Sequence, residues 1–312
     1  MMKSLPEEIN TGKTVLAAEM YYLYDMSQKE IADRLNVSRP WVSKLLKRAR
    51  ETGLVRIEIN SPLVGSPEIE QRLREKYRIR NITVIRPLAK NDYTNISVAA
   101  ASWLAAHIQK EDTIGVSWGM SIADMIGHIV EMHFPGVNVV PIVGGAGSQQ
   151  ALLSNTNAAN LAQTLGASCT LLHASACCSD EQEWKSIMSN THVRELIDQG
   201  ERADIALLGI GDLDHSRIID WGYTTEEDLA QIRTCNAAGD VAFRFLQENG
   251  EIADIDFNRR VIACDLHKIR KNAREVVAIA YGTHKARILR AALKSGLITT
   301  LFTDSETAQA LL

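Results

Sequence analysis

The sequence predicts two units of different class: a winged helix-turn-helix module over residues 1–60, and a doubly wound, mostly parallel α/β domain over residues 61–312. Three observations predict this. Residues 27–53 carry two amphipathic helical patterns joined by a tight turn. Beyond residue 80, short aliphatic runs alternate with helical patterns, as strands covered on both faces of a parallel sheet do. Between the two, S-P-L-V-G-S-P (residues 61–67) has the proline, glycine and serine of a domain boundary.

In the first helical pattern Ser27 and Glu30 have capping-box spacing, so each side chain can satisfy a free backbone amide of the first turn. Ile31, Ala32 and Leu35 form an apolar stripe. Asn36 sits where the chain must reverse and tolerates left-handed angles. Ser38 is placed to cap the second helix, with Pro40 harmless in its first turn. Val42, Leu45, Leu46 and Ala49 then fall on one face, and Pro40, Ser43, Lys44 and Lys47 on the other. Arg39 opens the helix, Arg48 and Arg50 flank it, and residues 38–50 contain no acidic side chain. A major-groove helix needs this pattern: donors for phosphates and base edges, no carboxylate, and an apolar back. The expected DNA-contacting residues are Ser27, Gln28, Ser38, Arg39, Pro40, Trp41, Ser43, Lys44, Lys47 and Arg48. The competing reading is an ordinary amphipathic helix with a solvated basic face. Cap, turn, alanine and basic face agree at helix-turn-helix spacing and favour DNA.

Residues 1–12 are polar and expected to fray, and residues 14–24 form a support helix whose Tyr21, Tyr22 and Tyr24 either contact DNA or, the favoured reading, pack its core or rim. After Gly53, a good helix stop, L-V-R-I-E-I-N alternates with period two and predicts a wing strand, from which Arg56 can reach a phosphate.

Charge follows the same division. The whole chain of 312 residues carries −4, but residues 1–60 carry +2 and the remainder −6. A basic module on an acidic body fits local DNA contact and excludes a general polyanion binder. The five cysteines (Cys169, Cys177, Cys178, Cys235, Cys264) are odd in number, lack C-x-x-C spacing and form no His-Cys cluster. They read as free thiols of a reducing cytosol, with no metal or cofactor expected. There is no signal peptide and no apolar run of membrane-crossing length, so the expected location is the cytoplasm.

In the larger unit, helix 95–109 precedes strand 113–116, and strands at 138–142, 168–172, 204–208, 261–264, 276–280 and 299–302 follow with intervening helices. In open α/β sheets a ligand lies beyond the C-terminal strand ends. Four segments there carry glycines or hydroxyls: G-V-S-W-G-M-S (115–121), V-G-G-A-G-S (143–148), G-I-G-D (209–212) and Y-G-T-H-K (281–285). They make Ser117, Gly119, Ser121, Gly144, Gly145, Ala146, Gly147, Gly209 and Gly211 candidate ligand contacts, since glycine lets backbone amides approach a phosphate or sugar. None is a dinucleotide or P-loop fingerprint. Thr283 is placed to cap a following helix, which would put Lys285 in the first turn against the helix dipole, at a cost of ~0.3–1 kcal/mol. That suggests an anion partner. Asp240, in N-A-A-G-D-V, reads equally as an acceptor for sugar hydroxyls or as a helix cap. Asp212, Asp240, His173 and His284 are scattered along the chain and define no acid/base constellation and no catalytic residue.

These residues resemble the SorC family of sugar-binding bacterial transcription regulators, grouped with the deoxyribonucleoside regulator. The likeness covers nearly the whole chain. It rests on M-S-Q-K-E-I-A-D-R-L-N-V-S-R-P-W-V-S-K-L-L-K-R-A-R-E-T-G-L-V-R-I-E-I in the first unit. In the second it rests on G-V-S-W-G, V-P-I-V-G-G, A-D-I-A-L-L-G-I-G, A-G-D-V and Y-G-T-H-K-A-R-I-L-R-A-A-L-K-S-G. The resemblance implies an effector domain similar in fold to ribose-phosphate isomerase and glucosamine-phosphate deaminase. It also implies a homo-oligomer, dimer or tetramer, that binds operator DNA and answers to a sugar or phosphosugar. The family's ligand positions map onto the Gly144-Gly145 loop, Asp240 and Lys285. This chain departs at Met120-Ser121, where many members carry hydroxyl residues, at Tyr281, where a second glycine is common, and in residues 143–148, which hold no lysine for a Schiff base. Two alternatives remain at this point: a sugar-phosphate isomerase or deaminase with a DNA-binding appendage, and a module that uses the basic helix to bind protein.

Overall fold

The computed structural model describes residues 7–55, 66–145 and 154–312, with side chains from residue 12. The chain forms two compact units, residues 1–61 and 62–312.

The first unit has three helices: α1 (Glu7–Tyr22), α2 (Gln28–Leu35) and α3 (Arg39–Glu51). Helix α1 starts well before residue 14, so residues 7–12, expected to fray, are helical. The capping box at Ser27 and Glu30 is formed, with the Ser27 amide donating to Glu30 Oε2 at 2.8 Å and the Glu30 amide to Ser27 Oγ at 3.3 Å. Asn36 closes α2 in the left-handed conformation, φ 50° and ψ 57°. Ser38 stands at the cap position of α3, but its hydroxyl makes no capping bond there. Ala17, Ile31, Ala32, Val42, Leu45 and Leu46 form the core, with Tyr22 and Trp41 packed at its edge. Tyr21 and Tyr24 stay exposed. The predicted wing lies, from residue 56 with Arg56, outside the described residues.

The second unit is built on a seven-stranded parallel sheet. Its strands are β1 (Asn81–Ile85), β2 (Thr113–Val116), β3 (Asn138–Pro141), β4 (Ser168–Cys169), β5 (Ile205–Leu208), β9 (Glu275–Ile279) and β10 (Thr300–Asp304). They lie in the order β1-β10-β9-β5-β2-β3-β4, and every pair is parallel. Side chains alternate between two cores. Ile114, Val116, Ile205, Leu207, Val277 and Ile279 point to one face, and Ala206, Leu208, Val276 and Ala278 to the other. Both faces are therefore covered by helices, which is why the strands read as unbroken aliphatic runs.

A second sheet was not predicted. Strands β6 (Ile210–Asp212), β7 (Ala237–Val241) and β8 (Arg244–Gln247) form an antiparallel sheet in the order β6-β7-β8. Asp240 accordingly lies in a strand and caps no helix. The predicted strand at 261–264 is reduced to isolated bridges at Val261 and Ala263. The helix expected across 185–198 is two, Glu181–Ser189 and Thr191–Glu201, because Asn190 caps the second with its side chain. No described helix is long and apolar enough to cross a membrane.

Candidate functional site

The sheet order sets the place of a cavity. The chain leaves β2 toward β3 on one side, and leaves β5 toward β9 on the other. The carboxyl ends of the neighbouring strands β2 and β5 are thus a topological switch point, where open α/β sheets hold ligands. A cavity of about 260 Å³ opens there. Its walls come from residues 118–122 after β2, residues 209–212 with β6, Asp240 of β7, and Tyr281, His284 and Lys285 after β9. Tyr93, His215, Arg217 and Trp221 complete it.

Glycine is required at several of these places. A Cβ at Gly211 would lie 2.1 Å from Asp240 Oδ1, and one at Gly209 would lie 2.2 Å from the Trp118 carbonyl. Gly119 adopts φ +139° and precedes the helix Met120–Gly127, whose first turn lines the cavity. The leading amides of a helix have no intrahelical acceptor and favour an anion.

The cavity has an apolar wall and a charged floor. Trp118 packs edge-on to Trp221 at 5.6 Å and against Phe243 at 4.9 Å between ring centroids. Tyr93 stacks on Tyr281 at 4.3 Å, and the Tyr281 hydroxyl donates to Asp124 at 3.1 Å. Burial pushes the Tyr281 phenol up to about 12. Asp240 is buried, and loss of water pushes its carboxyl up to about 7, against the opposing pull of the Phe243 amide and Lys285. Lys285 is half-buried with its ammonium 5.9 Å from the Tyr281 ring. Burial lowers its pKa, and the carboxylates of Asp212 and Asp240 oppose that shift. It makes no ion pair among the described residues. Asp212 Oδ1 accepts from the His215 amide at 3.0 Å and contacts His215 Nδ1 at 2.9 Å. Asp212 Oδ2 lies 3.7 Å from His284 Nε2.

Of the predicted ligand contacts, Gly119, Ser121, Gly209, Gly211, Asp240 and Lys285 line the cavity. Ser117 does not. It is fully buried, its hydroxyl donating to the Trp118 carbonyl and accepting the Gly209 amide, both at 2.9 Å, so it ties β2 to β5. Gly144 and Gly145 also stand apart: their amides donate to Ile262 and Ala174 carbonyls, and a Cβ on Gly144 would meet the Ser175 carbonyl at 2.4 Å. These glycines serve close packing of two chain segments. Ala146 and Gly147 lie outside the described residues. Thr283 does not cap the helix Ala286–Lys294; Gly282 (φ +91°) starts a short 3-10 turn through Thr283–Lys285, which leaves Lys285 at the cap position. Asp212, Asp240 and His284, scattered in sequence, converge in the cavity, while His173 is exposed and absent from its lining. Tyr93, Trp118, Arg217, Trp221 and His215 were not predicted. Only the tryptophans of G-V-S-W-G and D-W-G, apolar residues beside glycine, hinted at a ligand wall.

On the helix-turn-helix, Ser27, Ser38, Arg39, Pro40, Ser43, Lys44 and Lys47 are exposed, while Gln28, Trp41 and Arg48 are half-buried. Lys47 pairs with Glu51 at 3.6 Å, both largely exposed, a contact too weak to withhold the lysine from a phosphate. The cysteines are free, and burial pushes the Cys177 and Cys178 thiols up to about 11, which makes them poor nucleophiles.

A basic helix-turn-helix joined to an α/β unit with a sugar-sized cavity at its switch point defines a class, the transcriptional regulators that carry a sugar-binding domain. Comparison with known proteins agrees. Residues 61–312 match the family described as "Putative sugar-binding domain", and residues 16–52 match "Sigma-70, region 4". The chain belongs to the SorC family of sugar-binding transcriptional regulators. It is 29% identical over 304 residues to the deoxyribonucleoside regulator of Bacillus subtilis, covering 96% of each chain. It is 28% identical over 305 residues to the sorbitol operon regulator of Klebsiella pneumoniae, again covering 96% of each. The crystal structure of that full-length regulator superposes with a TM-score of 0.73 at 28% identity, covering 98% of this chain and 99% of that one. A DeoR family regulator from Listeria monocytogenes gives 0.73 at 27% identity, covering 79% and 99%.

Proposed function

We propose that the chain binds operator DNA through α3 and that a sugar or phosphosugar in the switch-point cavity controls that binding. The observation that carries this reading is Lys285: a half-buried cation without an ion pair among the described residues, facing a cavity that also holds a buried, protonatable Asp240. The aromatic walls fit the apolar faces of a sugar ring, and Asp240 accepts from its hydroxyls. Lys285, Arg217 and the leading amides of the helix Met120–Gly127 meet an anionic group. A pocket of few polar groups among apolar walls is the ordinary form of a small-molecule site. The effector contacts are thus Gly119, Ser121, Gly209, Gly211, Asp240 and Lys285. The DNA contacts are Ser27, Gln28, Ser38, Arg39, Pro40, Trp41, Ser43, Lys44, Lys47 and Arg48.

The division of labour follows: residues 1–60 bind DNA, and residues 61–312 bind the effector and join subunits. One helix-turn-helix reads a short half-site, so at least a dimer, and by the family resemblance a tetramer, spans the operator. The protein works in the cytoplasm, controls a carbohydrate catabolism operon, and is not an enzyme. A thermal-shift screen of pentoses, hexoses and their phosphates against the full chain tests the effector reading. A phosphosugar should raise Tm in the wild type and much less in Lys285→Ala. Equal shifts in both would remove Lys285 from the site, and turnover of any of these sugars would favour the isomerase or deaminase alternative.

A further inference from the structure

We infer that Asp212, His215 and His284 form a three-ligand site for a divalent transition metal ion of the Zn²⁺ kind, set in the cavity wall with its remaining positions open to sugar hydroxyls. The second half of this inference rests on the effector reading above; the first half does not.

The three side chains come from separate segments: the end of β6, the loop after it, and the 3-10 turn after β9. One ligand atom from each can be chosen so that all lie within 4.8 Å of one another. Metal bonds of about 2.0–2.2 Å place tetrahedral ligand atoms roughly 3.4 Å apart. Asp212 turns one oxygen to each imidazole, Oδ1 2.9 Å from His215 Nδ1 and Oδ2 3.7 Å from His284 Nε2, so small side-chain movements bring one oxygen and both nitrogens to that separation. The imidazole rings meet edge to face at 64° with centroids 5.2 Å apart.

The local backbone makes room for this arrangement. A Cβ on Gly282 would lie 2.4 Å from His284 Cε1 and 2.7 Å from Nδ1, so the ring occupies the space that any other residue there would fill. Gly282 is held at φ +91° with its amide donated to Asp304 Oδ2 at 2.7 Å. His215 is fixed from the other side by its own amide on Asp212 Oδ1. Asp212 is buried, while both histidines are exposed enough for an ion to enter.

Two imidazoles and one carboxylate suit Zn²⁺, Fe²⁺, Co²⁺ or Ni²⁺ and not the all-oxygen preferences of Mg²⁺ or Ca²⁺. Binding displaces the proton shared between His215 Nδ1 and Asp212, so the ion takes the place of a hydrogen bond. The Asp212 carboxylate offsets the repulsion from Lys285. Three protein ligands leave open positions, and all three line the cavity, so those positions can take two neighbouring hydroxyls of a sugar.

The test titrates Co²⁺ alone into chelator-treated full-length protein and follows its visible absorption, with Zn²⁺ as competitor. The wild type should bind one ion per chain with the intensity of a low-coordinate site. His215→Ala and His284→Ala should each weaken binding on the order of tenfold or more. Both positions are exposed, and circular dichroism confirms that the variants fold. Unchanged affinity in the double variant, or no Co²⁺ spectrum in the wild type at excess ion, overturns the site. No sugar is present, so this result is independent of the effector reading. A sugar phosphate is then titrated with and without Zn²⁺. Tighter binding with Zn²⁺ in the wild type alone supports coordination of the sugar. Equal affinities overturn that half while leaving the effector site itself standing.

Discussion

Asp240 shows how one buried side chain couples stability to function. Its carboxyl ionises near 3.8 in an unfolded chain and at about 7 here, because burial penalises the charge. The folded state therefore holds the proton more tightly. Between about pH 4 and pH 7 the unfolded state binds fewer protons, so this group lowers stability as pH rises, with little further change above. Asp240→Asn should flatten that part of the Tm profile and raise Tm at pH 8. Identical profiles for wild type and variant would mean that the carboxyl is not protonated in the fold. At this scale the places of Lys285 and Asp240 in the cavity wall were legible, since a lysine at a helix start and an aspartate after glycine both break local expectation. Ser117, Gly144 and Gly145 were legible as unusual residues but not in their role, because a glycine that admits a ligand and a glycine that admits a neighbouring chain look alike in sequence. The grouping of Asp212, His215 and His284 was not legible: the first and last are separated by β7, β8 and β9, and only the fold joins them.

Among the elements, the β7–β8 hairpin carries strain. Its two turn residues, Ala242 and Phe243, both adopt positive φ, 46° and 72°, without being glycine or asparagine. Left-handed angles cost such residues roughly 1–2 kcal/mol each. The turn is held by Asp240 Oδ2, which accepts the Phe243 amide at 3.3 Å, and by the packing of the Phe243 ring on Trp118. Ala242→Gly should stabilise the protein by about 1 kcal/mol, measured as a higher urea midpoint at unchanged slope. The absence of an Asn-Gly signal is why this hairpin escaped prediction. By contrast α2 and α3 were legible nearly to the residue, since capping box, left-handed Asn36 and apolar stripe each have a local cause. On α3, replacing Lys44 and Lys47 by alanine should weaken operator binding and reduce the slope of log affinity against log salt by about 2, while the thermal shift by effector persists. An unchanged slope would place these lysines off the DNA.

For the molecule as a whole, alternating aliphatic strands and helices fix a parallel sheet, and the cavity opens at the switch point between β2 and β5. The small antiparallel sheet, which brings Asp212 and Asp240 to that point, has strands of three to five residues with glycine and charge inside them, too short and too mixed for a periodic signal. A regulator of this design acts through linkage: the effector shifts operator affinity only by its preference for one state, with couplings of about 1–3 kcal/mol typical. The most direct test is operator affinity measured with and without a phosphosugar that raises Tm, in wild type and in Lys285→Ala. The wild type should change its operator Kd by roughly 5- to 150-fold, and Lys285→Ala should bind operator equally well without effector yet fail to respond at the same concentration. A wild-type Kd indifferent to every sugar that occupies the cavity would contradict the account.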